Sequence, residues 1–128
     1  MQISKKSQYG LRAMVYLAKH RDKKEFSPLK DISEKEGISF DFLEKILTDL
    51  EKAKLIKSKK GINGGYVLAR NPAKISAKDI VEILENTNSV DCSFCGKSKK
   101  CLTKNVWQKI DLAVDKTLKS ITLKKLIA

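Results

Sequence analysis

Between Ser27 and Arg70 two short helical patterns meet at a glycine and run without a linker into a lysine-rich hairpin, an order that few folds accommodate. Ser27 is a residue type suited to an N-cap, and Pro28 follows at a first helical position, where its missing N–H costs nothing. A helix is therefore expected to open there and to stop at Gly37. Ser39 can cap a second helix, in which Leu43, Ile46, Leu47 and Leu50 recur at the three-and-four spacing of one buried face. Phe40, Asp41, Glu44, Lys45 and Thr48 then point away from the core, as side chains must if a helix is to enter a DNA major groove.

The hairpin reads Leu55 to Lys60, a Gly61-Ile62-Asn63-Gly64-Gly65 tip, and Tyr66 to Arg70 returning. Asn63, Gly64 and Gly65 tolerate the positive φ of a tight turn. From Lys52 to Lys60 there are five lysines and no acid, so Lys59 and Lys60 suit a phosphate backbone, and the tip glycines would let backbone amides approach a groove. A lysine run alone is more often a solvated face. Directly behind a helix-turn-helix pattern it reads as a wing, and the expected fold is mainly α with a small β-hairpin: a winged helix-turn-helix.

With 128 residues, 41% of them hydrophobic, the chain can build one compact domain plus an accessory element. Its formal charge of +12 and pI near 9.7 point to a polyanionic partner. No apolar run approaches the roughly 18 residues of a membrane span, and Met1 to Lys6 lacks the apolar centre of a signal peptide. A cytoplasmic protein is expected, where free thiols survive. No Ser/His/Asp or paired-carboxylate arrangement suggests an enzyme, and the single histidine, His20, reads as a helix-end surface residue.

Three further helices frame this unit. Ser4 can cap one running to about Arg21, nearly apolar all round between Leu11 and Ala18, and therefore buried on several sides. Ser76-Ala77-Lys78-Asp79 resembles a capping box opening a short helix with Ile80, Val81, Ile83 and Leu84. From Thr103, Trp107, Ile110, Val114, Leu118 and Ile121 form a stripe along about 18 residues, roughly 27 Å. Such a stripe suits an antiparallel dimer, which would set two reading helices about one DNA turn, roughly 34 Å, apart on a near-palindromic site; folding back on its own domain is the other reading. The expected organisation is a DNA-binding domain over 1–86, a cysteine loop over 87–102, and a dimerisation helix with a C-terminal tail over 103–128.

That loop holds the only cysteines, Cys92, Cys95 and Cys101, spaced Cys-x2-Cys-x5-Cys. Lys97, Lys99, Lys100 and Lys104 favour the thiolates that a metal needs. Spacing alone weighs an iron-sulfur cluster, a zinc ion and metal-free thiols equally, because three ligands leave one position open.

Together these residues resemble the Rrf-two family, the dimeric winged-helix regulators of the IscR and NsrR type. The resemblance covers nearly the whole chain. It rests on Tyr9-Gly10-Leu11-Arg12-Ala13-Met14, Asp31-Ile32-Ser33, Gly37-Ile38-Ser39, Leu43-Glu44-Lys45-Ile46-Leu47, Gly61-Ile62-Asn63-Gly64-Gly65-Tyr66, and Cys101-Leu102-Thr103 with Trp107. It implies a homodimeric transcriptional regulator on double-stranded promoter DNA, with no catalysis, tuned by an iron-sulfur cluster (2Fe-2S or 4Fe-4S) on the three cysteines. It also implies that Ser39, Phe40, Asp41 and Lys45 lie near bases or phosphates, that Lys59 and Lys60 meet the backbone, and that Asn63 to Gly65 sit at the minor groove. The Glu44 carboxylate would reject some sites unless it met a donor such as a cytosine amine. The Cys92-x2-Cys95 spacing is narrower than the family's, and Lys104 stands where IscR-type chains carry a histidine ligand. Gln8, Glu44 or an outside thiol are the candidates for the open position, and a cluster-free thiol, zinc or metabolite sensor is the alternative of the same fold. A redox or electron-transfer protein and an RNA-binding module are the more distant rivals.

Overall fold

The computed structural model describes residues 3–21, 26–85 and 102–128. Helix α1, Lys5–Lys19, opens at Ser4, whose hydroxyl accepts the Ser7 amide. It runs through the centre of the domain, burying Gly10, Ala13, Met14, Leu17 and Ala18, and the other elements gather around it as its nearly all-apolar pattern requires.

Helices α2, Leu29–Glu36, and α3, Phe40–Lys52, form the helix-turn-helix. Gly37 closes α2 in the left-handed region at φ 65°, and Ser39 caps α3 by accepting the Phe42 amide at 3.2 Å. Leu43, Ile46, Leu47 and Leu50 have no exposed surface and supply the base of the core. The expected cap at Ser27 is not formed. Both backbone groups of Ser27 instead bond to Tyr66, N–H to carbonyl and carbonyl to N–H, at 2.8 Å each. This draws Ser27 onto the edge of the hairpin, and α2 begins one residue later, at Leu29 behind Pro28, without a side-chain cap.

The hairpin pairs β1, Ile56–Lys59, with β2, Gly65–Leu68, antiparallel in the register Ile56 to Leu68 and Lys59 to Gly65. Ile56 and Leu68 close the inner end over the core, while Lys57, Ser58 and Lys59 face outward. Asn71 and Pro72 turn the chain into α4, Ala77–Leu84, which opens with the expected capping box of Ser76 and Asp79.

Helix α5, Lys104–Ser120, packs along α4. The last residues were expected only as a tail. They form a short helix α6, Leu123–Ile127, capped by Thr122, and return to the reading domain: Leu123 is fully buried in the core, its amide bonds to the Ile75 carbonyl at 2.9 Å, and Ser76 pairs with Thr122.

Candidate nucleic-acid interface

The outward face of α3 carries Phe40, Asp41, Glu44, Lys45 and Thr48, all exposed, with Ser39 at its start. Asp41, Glu44, Lys45 and Thr48, with Asp49, line a shallow open depression. Phe42 turns sideways, edge-on to Tyr9 of α1 at 5.7 Å, and Lys6 of α1 pairs with Asp49 at 2.8 Å. The helix is thus held from one side by α1, while its outer face stays free. That face offers Asp41 and Glu44 as acceptors beside the single cation Lys45 (residues 40–48), a set suited to discrimination at base edges rather than to general attraction for phosphate.

Positive charge is concentrated in the wing. Lys57, Lys59 and Lys60 are exposed, and the Lys59 ammonium lies 5.9 Å from the centre of the Phe26 ring. Ser58 Oγ donates to Glu51 Oε1 at 2.9 Å, tying β1 to the last turn of α3. Tyr66, opposite Ser58 in the register, is a residue whose place at the site its sequence position did not announce. Burial, with Glu51 and Glu44 beside it, pushes its phenol above the ordinary tyrosine range and keeps it neutral at the seam between wing and helix.

The tip differs from expectation. Positive φ falls at Gly61 (108°) and Gly65 (144°), not at Asn63 or Gly64. Gly64 is buried, its amide donates to the Gly61 carbonyl at 3.0 Å, and a Cβ there would lie 2.2 Å from the Lys59 carbonyl oxygen. A Cβ on Gly65 would lie 2.2 Å from the Ser27 carbonyl oxygen. These glycines are required by the chain's own close packing, so the Gly64 amide is spent inside the turn. What projects outward is Gly61, Ile62 and Asn63.

Cys92, Cys95 and Cys101 lie outside the described residues. Glu85, the last described residue before them, accepts at one oxygen from the Ser4 amide (2.8 Å), the Ser4 hydroxyl (2.7 Å) and the Ser7 hydroxyl (2.7 Å). A carboxylate is favoured at a helix N-terminus, and here it ties the end of α4 to the start of α1. Of the residues named for an open ligand position, Gln8 is exposed on that first turn of α1, its side-chain amide donating to the Ile3 carbonyl at 2.8 Å. Glu44 lies on α3 beside the wing. Among the described residues no group of three or more His, Cys, Asp and Glu could hold a metal.

Helix α5 places Trp107, Ile110, Val114 and Leu118 along one side, each half-buried, and none of its 17 residues is buried. Lys78 of α4 reaches Asp115 at 2.8 Å and Lys119 flanks it at 3.6 Å. The hydrogen bond from Lys78 holds the Asp115 carboxyl below the usual range and raises the Lys78 ammonium above its own. Ile121 lies past the helix end, half-buried, its carbonyl accepting the Ala77 amide at 2.7 Å. No helix among the described residues is long and apolar enough to cross a membrane.

A two-helix reading unit with a hairpin wing defines a winged helix-turn-helix protein, and comparison with known proteins narrows the class. Residues 3–128 match the family model Rrf2, described as an iron-dependent transcriptional regulator. The chain is similar to the HTH-type transcriptional regulator IscR of Sodalis glossinidius, 33% identical over 134 residues that span all of this chain and 79% of that protein. Among solved structures it is similar to T. potens IscR (TM-score 0.82, 37% identity, 99% of this chain and 86% of that one). It is also similar to CymR, the global cysteine regulator of B. subtilis (TM-score 0.81, 35% identity, 99% and 96%). The chain belongs to the Rrf2 family of transcriptional regulators, and it is a regulator, not an enzyme.

Proposed function

We propose that the chain is a cytoplasmic, homodimeric regulator that reads a partly palindromic promoter site, with α3 in the major groove and the wing on the adjacent backbone. The observation that carries this reading is the division of charge between two connected elements. Exposed lysines sit on a wing tied to α3 through Ser58 and Glu51, beside a helix face offering carboxylate, ammonium and hydroxyl groups. Lys59 and Lys60 supply phosphate contacts common to all sequences. Ser39, Phe40, Asp41, Glu44, Lys45 and Thr48 discriminate among them. The half-buried stripe of Trp107, Ile110, Val114 and Leu118 meets its twin in a second copy, joined by Ile121 at its end, and residues 1–86 form the DNA-binding part.

The segment over 87–102 tunes this binding. Three thiolates with a fourth ligand would hold an iron-sulfur cluster, whose chemistry is a change of charge or integrity on oxidation. The chain's own contribution is positional: Glu85 binds Ser4 and Ser7 at the start of α1, and between them Lys6 pairs with Asp49 of α3. Gln8, on the same turn, and Glu44, on α3, are the two protein candidates for the open position.

The test is duplex binding across a salt series by the anaerobically purified chain, with its iron and sulfide content and visible spectrum. Binding should weaken steeply with salt, and Lys60→Ala should reduce the slope of log K against log salt by about 0.9. A slope unaltered by Lys60→Ala removes that residue from the phosphate contacts. Iron, sulfide and broad visible absorption lost in Cys101→Ala would identify a cluster, and a colourless chain that still binds DNA would move the cysteines to zinc or thiol sensing.

A further inference from the structure

The outermost residue of the wing is apolar. Ile62 is fully exposed, at 101% of its reference surface, at the tip of a hairpin whose approach strand displays Lys57, Lys59 and Lys60. From Lys52 to Arg70 the chain contains no acid. Turn tips are dominated by Gly, Pro, Asn, Asp and Ser, and the turn that presents this isoleucine is closely packed. The Gly64 amide closes the turn on Gly61, Gly64 and Gly65 are packed against the Lys59 and Ser27 carbonyls, and Ser58 anchors the strand to α3. Lys59 is further steadied over Phe26.

We infer that Ile62 is a minor-groove probe that selects against guanine at one position of the bound DNA. This inference rests on the DNA-binding reading above. The hairpin leaves the C-terminal end of α3, so with α3 in the major groove its tip reaches across one phosphate backbone, to which the lysines are matched, and the next groove is the minor one. That groove, about 6 Å wide, excludes a helix and admits a single side chain. Its floor shows only acceptors at A·T and T·A pairs, whereas a G·C pair adds the guanine 2-amino donor. An isoleucine pressed onto the floor cannot accept that hydrogen bond, so the amino group is stripped of water without a partner. Minor-groove proteins do set apolar side chains, isoleucine among them, against base steps.

Inosine isolates the effect, because an I·C pair keeps the major-groove edge of G·C and lacks the 2-amino group. The experiment measures binding of the full chain to labelled alternating dI-dC, dG-dC and dA-dT duplexes of about 30 base pairs, roughly three turns, over a range of salt. The chain should bind dI-dC about tenfold more tightly than dG-dC. Ile62→Ser should bring that ratio to about one without changing the salt slope. Equal binding of dI-dC and dG-dC by the unaltered chain, or a ratio retained by Ile62→Ser, would each overturn the role of Ile62 while leaving the DNA-binding reading in place. Absence of salt-sensitive binding to all three duplexes would overturn both.

Discussion

Helices α3 and α5 carry the same kind of apolar stripe and meet different fates. In α3, Leu43, Ile46, Leu47 and Leu50 are wholly covered by α1, α4 and the hairpin of the same chain. In α5, longer by four residues, Trp107, Ile110, Val114 and Leu118 stay half-exposed, and Leu112 and Val106 retain 70% and 49% of their surface. A three-and-four repeat records that a face must be covered, and it is silent on which molecule covers it. The first helix is paid for by folding, and the second awaits association.

The largest expected effect exploits that difference. Ile46→Ala removes atoms from a site with no exposed surface and should cost about 3 kcal/mol of folding stability, seen as an earlier thermal or denaturant midpoint. Val114→Glu, on the half-covered stripe, should leave the helical circular dichroism of the chain intact and shift sedimentation from dimer to monomer. Comparable losses of folding stability at the two positions would erase the contrast, and a Val114→Glu chain that sediments unchanged would place the dimer contact elsewhere.

Next in size is Gly65→Ala, which probes the wing against the core. At φ 144°, with the Ser27 carbonyl where the methyl group must go, the backbone has to shift at the cost of about 1–3 kcal/mol. The bond pair joining Ser27 and Tyr66 should break first. Duplex affinity is expected to fall about tenfold or more, while the hydrogen-exchange protection of α3 persists, because Leu43 to Leu50 do not depend on the tip. Loss of protection throughout α3 would show wing and helix to be a single cooperative unit.

What could be read from the sequence follows from how far apart the responsible residues stand. Ser39 on Phe42, Ser76 with Asp79, Gly37 as a helix stop and the buried face of α3 are interactions within one or two turns, and each was visible as a local pattern. Ser27 looked like a cap because its neighbours suggested one; its true partner, Tyr66, is 39 residues away, and two backbone bonds prevailed over one side-chain bond. Glu85 on Ser4 and Ser7, and Leu123 in the core, are equally non-local. At the site, the exposed side of α3 and the lysines of the wing were legible from alternation and charge. The role of Gly64 was not, since a close approach to the Lys59 carbonyl leaves no mark beyond the glycine itself. Ile62 stands in the sequence as one apolar residue at a polar turn, and the packing of Gly64 and Gly65 behind it is non-local.

The smallest effect tests what holds α5 to the reading domain in a single chain. Asp115 and Lys78 join α5 to α4 through an ion pair open to solvent. The Asp115 carboxyl, depressed from 3.8, adds to the docked state above that value and loses its contribution as pH falls through the lowered pKa. Lys78, raised from 10.5, contributes below that value and ceases to do so as pH rises through the elevated pKa. Docking should therefore be insensitive to pH between about 5 and 9 and weaken at either extreme, and it should also weaken in 1 M salt, where charges are screened beyond about 3 Å. Asp115→Asn, followed by hydrogen exchange at pH 7 and low protein concentration, should speed exchange in α5 by a few-fold and leave α3 unchanged. Unaltered exchange in α5 would mean that packing of its apolar side on α4 holds it without the charges, and the two helices would then differ in the extent of their cover and not in its kind.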